Sequence, residues 1–91
     1  MANALLAVYY LPNHLDTPRF GISVGKQLGK AVKRNAVKRV LREIIREAKP
    51  GVPGGMDIVV HARRACREAT FQQIREAFME LMLRLEPPTS A

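Results

Sequence analysis

The sequence predicts a small α/β fold in which two amphipathic helices pack on a short sheet. Three observations support this class. The chain has 91 residues, the length of one domain. Three short runs rich in Val, Ile and aromatic residues have the character of strands, and two longer segments repeat apolar residues at helical spacing. One helix falls between two strands, which is the order typical of a parallel pair joined by a crossover helix.

The first two strands are predicted on either side of a loop at residues 12–18, PNHLDTP. Residues 4–11, ALLAVYYL, are apolar at both alternations, so we expect a strand that is covered on both faces. Residues 19–25, RFGISVG, alternate, with Phe20, Ile22 and Val24 on one face and small or polar residues on the other. The seven-residue loop between the two runs favours an antiparallel hairpin.

The longest predicted element is a helix within residues 29–49, which Pro50 and Gly51 bring to an end. Its apolar residues share an arc of roughly 140°: Val37, Val40, Leu41, Ile44, Ile45 and Ala48. An adjoining arc of roughly 100°, called here the basic ladder, holds Asn35, Lys38, Arg39, Arg42, Arg46 and Lys49. Glu43 has the spacing to pair with Arg39 or Arg46, whereas Glu47 has no basic residue at that spacing. We therefore expect a ladder that is largely unpaired within its own helix.

The rest of the chain adds one strand and one helix. After a Gly-rich loop at 51–56, residues 57–62, DIVVHA, predict the third strand, and residues 63–69 form a connector with three arginines. The second helix is predicted over residues 71–85, with Thr70 as N-cap and Gln73 completing a capping box. Pro87 and Pro88 end that helix. Residues 86–91 are then a tail, and 1–91 form a single domain.

The net charge of +7 is concentrated in one segment. Residues 26–49 contain nine basic and two acidic side chains, whereas the remaining charges of the chain cancel. A local surplus of this kind predicts a polyanionic partner. Nucleic acid is favoured over an anionic membrane surface, because no run approaches the roughly 18 apolar residues of a membrane span. The single cysteine, Cys66, fits a reducing cytoplasm, and its side chain is expected to be an inert thiol.

Catalytic patterns are weak in this sequence. The two histidines, His14 in a loop and His61 in a strand, have no spacing that would bring them together, and no metal cluster is indicated. For His61 a structural or surface role is favoured over RNA contact. The glycine-containing stretches match neither a P-loop nor a dinucleotide fingerprint. We therefore predict no catalytic residue, no metal site and no cofactor bound by the protein, and the remaining choice is between RNA binding and a merely solvated basic face.

The stretch GKAVKRNAVKRVLRE, residues 29–43, resembles the signature helix of the bacterial ribonuclease P protein component. The matching residues are Lys30, Ala31, Val32, Arg34, Asn35, Lys38, Arg39, Arg42 and Glu43. RFGISVGK before the helix and DIVV after it also fit, so the resemblance covers nearly the whole chain. It implies an α+β sandwich with a small central sheet of about three to four strands and two helices. It also implies a strand–helix–strand crossover of the rare left-handed kind.

The resemblance implies that the protein binds the catalytic RNA of ribonuclease P and the 5′ leader of precursor tRNA, while the RNA and its Mg²⁺ ions perform hydrolysis. RNA contacts are then expected from Lys30, Arg34, Asn35, Lys38, Arg39 and Arg42, with Arg46 added because it continues the ladder. The expected leader contacts are Tyr9, Ser23 and Lys26, with core packing as the alternative for Tyr9. The alternative function is a ribosomal or other structural RNA-binding module; a DNA-binding helix protein and a stand-alone nuclease are less favoured.

Two features depart from the family pattern. Ala36 stands where the signature has its second arginine, on a side of the helix away from the main basic arc. Family members usually carry a further helix before the first strand, with aromatic residues that line the leader cleft. If that helix is absent, the doubly apolar stretch 5–10 predicts an exposed patch and self-association.

Overall fold

The computed structural model describes residues 1–85, and the predicted tail lies outside them. Its strands and helices are β1 (Leu6–Pro12), β2 (Arg19–Val24), α1 (Ala31–Ala48), β3 (Met56–Ala62) and α2 (Phe71–Leu83). Three 3-10 turns complete the order, at Lys26–Leu28, Lys49–Gly51 and Arg64–Glu68. The predicted class, a mixed sheet with two helices, is confirmed. Across residues 1–85, neither helix has both the length and the apolar composition needed to cross a membrane.

The sheet has the strand order β1–β3–β2, with β3 antiparallel to β1 and parallel to β2. The parallel pair joined by α1 is therefore as predicted, but the hairpin of β1 with β2 is wrong, because β3 lies between them. The loop after β1 packs on the residues that enter β3. The backbone N–H of Asn13 donates to the carbonyl of Gly55 at 2.8 Å, and its side chain donates to Asp57 at 2.6 Å. A side chain at Gly54 would overlap the carbonyl of Asp16, so the crossing is a close one.

The core lies between one face of the sheet and both helices. Alternation along β3 buries Met56, Ile58, Val60 and Ala62. The buried residues of α1 are Val37, Leu41, Ile44 and Ile45, and those of α2 are Ile74, Ala77, Phe78 and Leu81. The four buried residues of α1 belong to the apolar arc that the sequence predicts. On the side of β2, the rings of Phe20 and Phe78 lie 6.4 Å apart between centroids and pack at a tilt.

The start of α2 has the predicted capping box. The hydroxyl of Thr70 accepts from the N–H of Gln73 at 3.1 Å, and the Gln73 side chain accepts from the N–H of Thr70 at 2.9 Å. An ion pair also links the two helices: the Arg75 guanidinium of α2 donates to the Glu47 carboxylate of α1 at 3.0 Å. Glu47, which has no partner within its own helix, therefore pairs with a residue of α2.

The first strand is covered along only part of its length. Residues 1–5 turn back along β1, where Met1 and Val8 exchange two backbone hydrogen bonds of 3.1 and 2.8 Å. Leu6, Ala7 and Val8 are buried, but Tyr9 and Leu11 are 62% and 70% exposed. The prediction of a strand covered on both faces is therefore wrong for the second half of β1. The sheet face opposite the core is called here the open sheet face, and within residues 1–85 no element covers it at Tyr9 and Leu11.

Candidate nucleic-acid interface

The two faces of α1 are separated as predicted. Its aliphatic side is fixed to the sheet by buried residues such as Leu41 and Ile44. On the other side Asn35, Arg39, Arg42, Arg46 and Lys49 are exposed, and Lys38 is half-buried. The basic ladder is thus held in place by packing behind it and can meet a polyanion without any rearrangement of the backbone.

Both carboxylates of α1 are engaged. Glu43 accepts from Nη2 of Arg46 at 2.7 Å on each oxygen. Glu47 faces Arg75 of α2. In the described part of the chain no carboxylate pairs with the other cations of the ladder, Lys38, Arg39, Arg42 and Lys49. The predicted unpaired ladder is present, with the exception of Arg46.

Part of the ladder forms one wall of a groove along β2, called here the ladder groove, with a volume of about 480 Å³. Its floor is apolar and consists of Phe20, Ile22 and Ile45, and its rim is formed by Lys38, Arg42, Arg46 and Lys49. Because β2 is an edge strand, the groove runs beside an open sheet edge. No pattern within a single helix or strand predicts the groove. The one signal in the sequence is the apolar face of β2, formed by Phe20, Ile22 and Val24.

A second basic group surrounds the start of α1. Lys30 is the N-cap residue, no side chain caps the helix, and the first turn has no acidic residue. Gly29 has φ +103°, and a Cβ there would lie 3.6 Å from the guanidinium carbon of Arg67. Arg34 adds a buried Nε that has no hydrogen-bond partner within residues 1–85. Free backbone N–H groups and nearby cations together favour an anion at this helix end.

Arg67 is a residue of this group that no motif in the sequence identifies. It belongs to the connector after β3, which is distant from α1 in sequence. Parallel pairing of β2 with β3 brings the carboxyl ends of both strands together, so the 3-10 turns that follow them meet. The signal in the sequence was the run of arginines in the connector, but their location depended on the strand order.

The open face of the sheet carries the predicted leader residues Tyr9 and Ser23. The register places Tyr9, Val59 and Gly21 side by side in one row across the three strands, next to a cavity of about 610 Å³. The exposure of Tyr9 shows that its alternative, core packing, is wrong. In the neighbouring row, Ser23 Oγ lies 3.0 Å from Nδ1 of His61.

The third leader residue, Lys26, is exposed but lies beyond the end of β2, in the first 3-10 turn. It is therefore not part of the open face. Its position is the junction between that face and the start of α1, because the same turn leads into the helix.

At the other end of the open face, Arg19 and Asp57 form a two-pronged ion pair. Nε and Nη2 of Arg19 donate to the two carboxylate oxygens of Asp57 at 2.7 and 2.6 Å. These hydrogen bonds, and a further one from Asn13, lower the pKa of Asp57 to about 2. The pair ties β2 to β3 at the start of both strands.

The possible nucleophile and acid–base groups are dispersed. His14 follows β1 at the end of the sheet where β3 begins, whereas His61 lies near the other end of β3. Cys66 is buried, and desolvation raises the pKa of its thiol to about 11. Over residues 1–85, no three His, Cys, Asp or Glu side chains are grouped to hold a metal ion.

Comparison with known proteins identifies relatives of this chain. Residues 1–86 match the family model described as Ribonuclease P. The chain is 40% identical over 82 residues to the ribonuclease P protein component of Caldanaerobacter subterraneus subsp. tengcongensis, covering 90% of this chain and 71% of that protein. It is 38% identical over 91 residues to the same component of Alkaliphilus oremlandii, covering 100% of this chain and 80% of that protein.

Two solved structures resemble the fold described above. The RNase P protein from Thermotoga maritima, in complex with 1-(4-fluorophenyl)-2-thiourea, superposes with a TM-score of 0.87 at 39% identity, covering 94% of this chain and 84% of that one. The RNase P protein of Staphylococcus aureus gives a TM-score of 0.81 at 39% identity, covering 92% and 76% respectively. At this identity the likeness extends beyond fold to sequence.

Proposed function

Because the chain belongs to the ribonuclease P protein family, we propose that it is the non-catalytic, RNA-binding protein subunit of ribonuclease P. In this proposal it binds the catalytic RNA and the precursor tRNA, and it assists removal of the 5′ leader. The observation that carries the proposal is the basic ladder on a helix that is anchored to the sheet from behind. Among the described residues, its cations other than Arg46 have no carboxylate partner.

The RNA contacts follow from helix geometry. Side chains three and four positions apart lie one above another on a helix, so several cations can reach neighbouring phosphates together. We assign Lys30, Arg34, Asn35, Lys38, Arg39, Arg42 and Arg46 to the catalytic RNA. Asn35 differs from the others because its amide both donates and accepts, which suits a base edge or a ribose hydroxyl. Ala36 is exposed, so the missing arginine of the signature costs a contact and leaves the core unaffected.

The open sheet face is proposed to hold the leader strand. Tyr9 presents an exposed ring on which a base can stack. Gly21 keeps the row flat, since a Cβ there would already contact Val59 at 3.7 Å. Ser23 offers a hydroxyl to a base or sugar, and Lys26 can meet the backbone where the strand leaves the face.

The protein's part in the reaction is binding and charge neutralisation. Hydrolysis would be performed by the RNA with the Mg²⁺ ions that it holds. Cations on α1 reduce the repulsion between the two RNA molecules, so the need for free Mg²⁺ falls.

Reconstitution tests this function. The purified protein is added to the catalytic RNA, and cleavage of precursor tRNA is measured at low Mg²⁺. We expect a clear rise in cleavage rate, and an unchanged rate would overturn the proposal. RNA binding without stimulation would favour a structural RNA-binding module, and cleavage by the protein alone would favour a nuclease.

A further inference from the structure

We propose that the ladder groove takes an unpaired RNA nucleotide, with its base on the apolar floor and its flanking phosphates on the cations of the rim. This inference rests on the proposed function, and it narrows the RNA element bound at this place to an unpaired one. It concerns the space between α1 and β2, which is separate from the open sheet face.

The floor of the groove has the chemistry of a base platform. Phe20 and Ile22 are only partly buried, although both pack against the core. Phe78 holds the ring of Phe20 from the core side at an interplanar angle of 48°. The ring is therefore fixed in position while the groove remains open above it. An apolar floor offers nothing to a phosphate, whereas the face of any base can pack on it.

The rim supplies the complementary charge. Lys38, Arg42 and Lys49 line the groove, and none of them pairs with a carboxylate among the described residues. From Lys38 to Lys49 the helix rises about 16 Å, so the cations can contact backbone on both sides of an inserted base. Arg39 does not line the groove, which leaves it for phosphates that approach α1 from outside.

The free edge of β2 explains why the element should be unpaired. Among the described strands β2 pairs with β3 alone, so its opposite edge keeps backbone donors and acceptors beside the groove. Such groups can bond to the edges of an exposed base. A regular RNA duplex keeps its bases stacked inside and presents only its backbone and shallow groove. It can contact the rim but cannot occupy the floor.

The test compares two RNA hairpins of equal length, one fully paired and one with a three-nucleotide bulge that carries 2-aminopurine. We expect the bulged RNA to bind at least about fivefold more tightly, the lower end of the range for one stacked base. The fluorescence of the 2-aminopurine should change on binding. Equal affinity for the two hairpins would overturn the proposal.

Matched variants show which residues cause the preference for the bulged hairpin. The double variant Lys38→Ala/Lys49→Ala removes two rim cations and should weaken both hairpins, because paired and bulged RNA can both contact the rim. Phe20→Leu removes the ring beneath the base and should abolish most of the preference for the bulge. Lys30→Ala/Lys33→Ala removes the same charge outside the groove, so affinity for both hairpins should fall while the preference remains. A preference that survives undiminished in Phe20→Leu contradicts the proposal. Thermal unfolding of each variant confirms that the fold is retained.

Two controls separate this inference from other readings. Tyr9→Ala should keep the preference, and its loss there would place the base on the open sheet face instead. Used as a competitor, an oligoglutamate peptide should displace the bulged RNA less effectively than free single-stranded RNA does. More effective displacement by the peptide would identify an acidic peptide as the ligand and overturn the inference. The reconstitution assay with the catalytic RNA reports on the proposed function itself. Failure of the groove proposal is therefore distinguishable from failure of the proposed function.

Discussion

Arg46 donates from Nη2 to both carboxylate oxygens of Glu43, one turn earlier on α1, at 2.7 Å. The pair lies on the solvent side of the helix, where such i,i+3 contacts contribute only about 0.3–0.5 kcal/mol. It nevertheless places a negative charge inside the basic ladder. Arg46 is therefore the ladder cation whose charge is already partly compensated before RNA arrives.

Removing that carboxylate should strengthen RNA binding. In Glu43→Gln the guanidinium of Arg46 is released, and the salt dependence of affinity for the catalytic RNA should steepen by up to about 0.7–0.9 in slope. Glu47→Gln is the matched control, because it adds the same charge but releases Arg75 of α2. Equal gains in the two variants would show that total charge alone matters and that the ladder has no special role.

Tyr9→Ala should weaken binding of precursor tRNA that carries a leader, by about 1–3 kcal/mol for one lost stack. It should leave binding of leaderless tRNA unchanged. Stability should change little, since the ring is mostly exposed. Tyr10→Ala on the other face of the same strand is the control. Equal losses with and without a leader would remove Tyr9 from the leader site.

Asp57 should contribute to stability in a pH-dependent way. Its pKa is lowered from 3.8 to about 2 by hydrogen bonds from Arg19 and Asn13, so folding favours the ionised form. The contribution is complete above about pH 4 and is lost as the pH falls towards 2. The difference in thermal midpoint between the wild type and Asp57→Asn should therefore shrink over that interval. Asp16→Asn, in the exposed loop, should follow the wild-type curve, and a constant gap for Asp57→Asn would contradict the account.

Thr70→Ala should destabilise the protein by about 1 kcal/mol, because the N–H of Gln73 loses its acceptor. Thr70→Ser keeps the hydroxyl and should retain most of the stability. Urea unfolding measures both, with an unchanged m value expected. A serine variant as unstable as the alanine variant would show that the capping box is not the cause.

The helices and strands were predictable because their patterns are local. The aliphatic arc of α1 and the capping box of Thr70 depend on residues only a few positions apart. The strand order was not predictable in this way. A loop with two prolines after β1 is compatible both with a hairpin and with a crossing over β3. The contact of Asn13 with Asp57, distant in sequence, is what distinguishes them.

The candidate site likewise contains one part that the sequence predicts and one part that it does not. Ladder residues such as Arg39 and Arg42 follow from helical spacing, and the resemblance assigned them to RNA. The groove beside them joins Phe20 to Lys38, and Arg67 reaches Gly29 through the parallel pairing of β2 with β3. Both depend on which elements become neighbours, and a pattern within one element does not specify that.

The basic ladder is proposed to bind RNA phosphates, and the salt dependence of binding measures such contacts directly. Affinity of the catalytic RNA for the wild type and for Arg39→Ala/Arg42→Ala is measured over a range of salt concentrations. Arg84→Ala, which removes a cation paired with Glu80 on α2, is the control. We expect the double variant to lose roughly 0.7–0.9 of slope for each missing contact, while the control keeps the wild-type slope. A double variant with an unchanged slope would show that this face of α1 is only solvated.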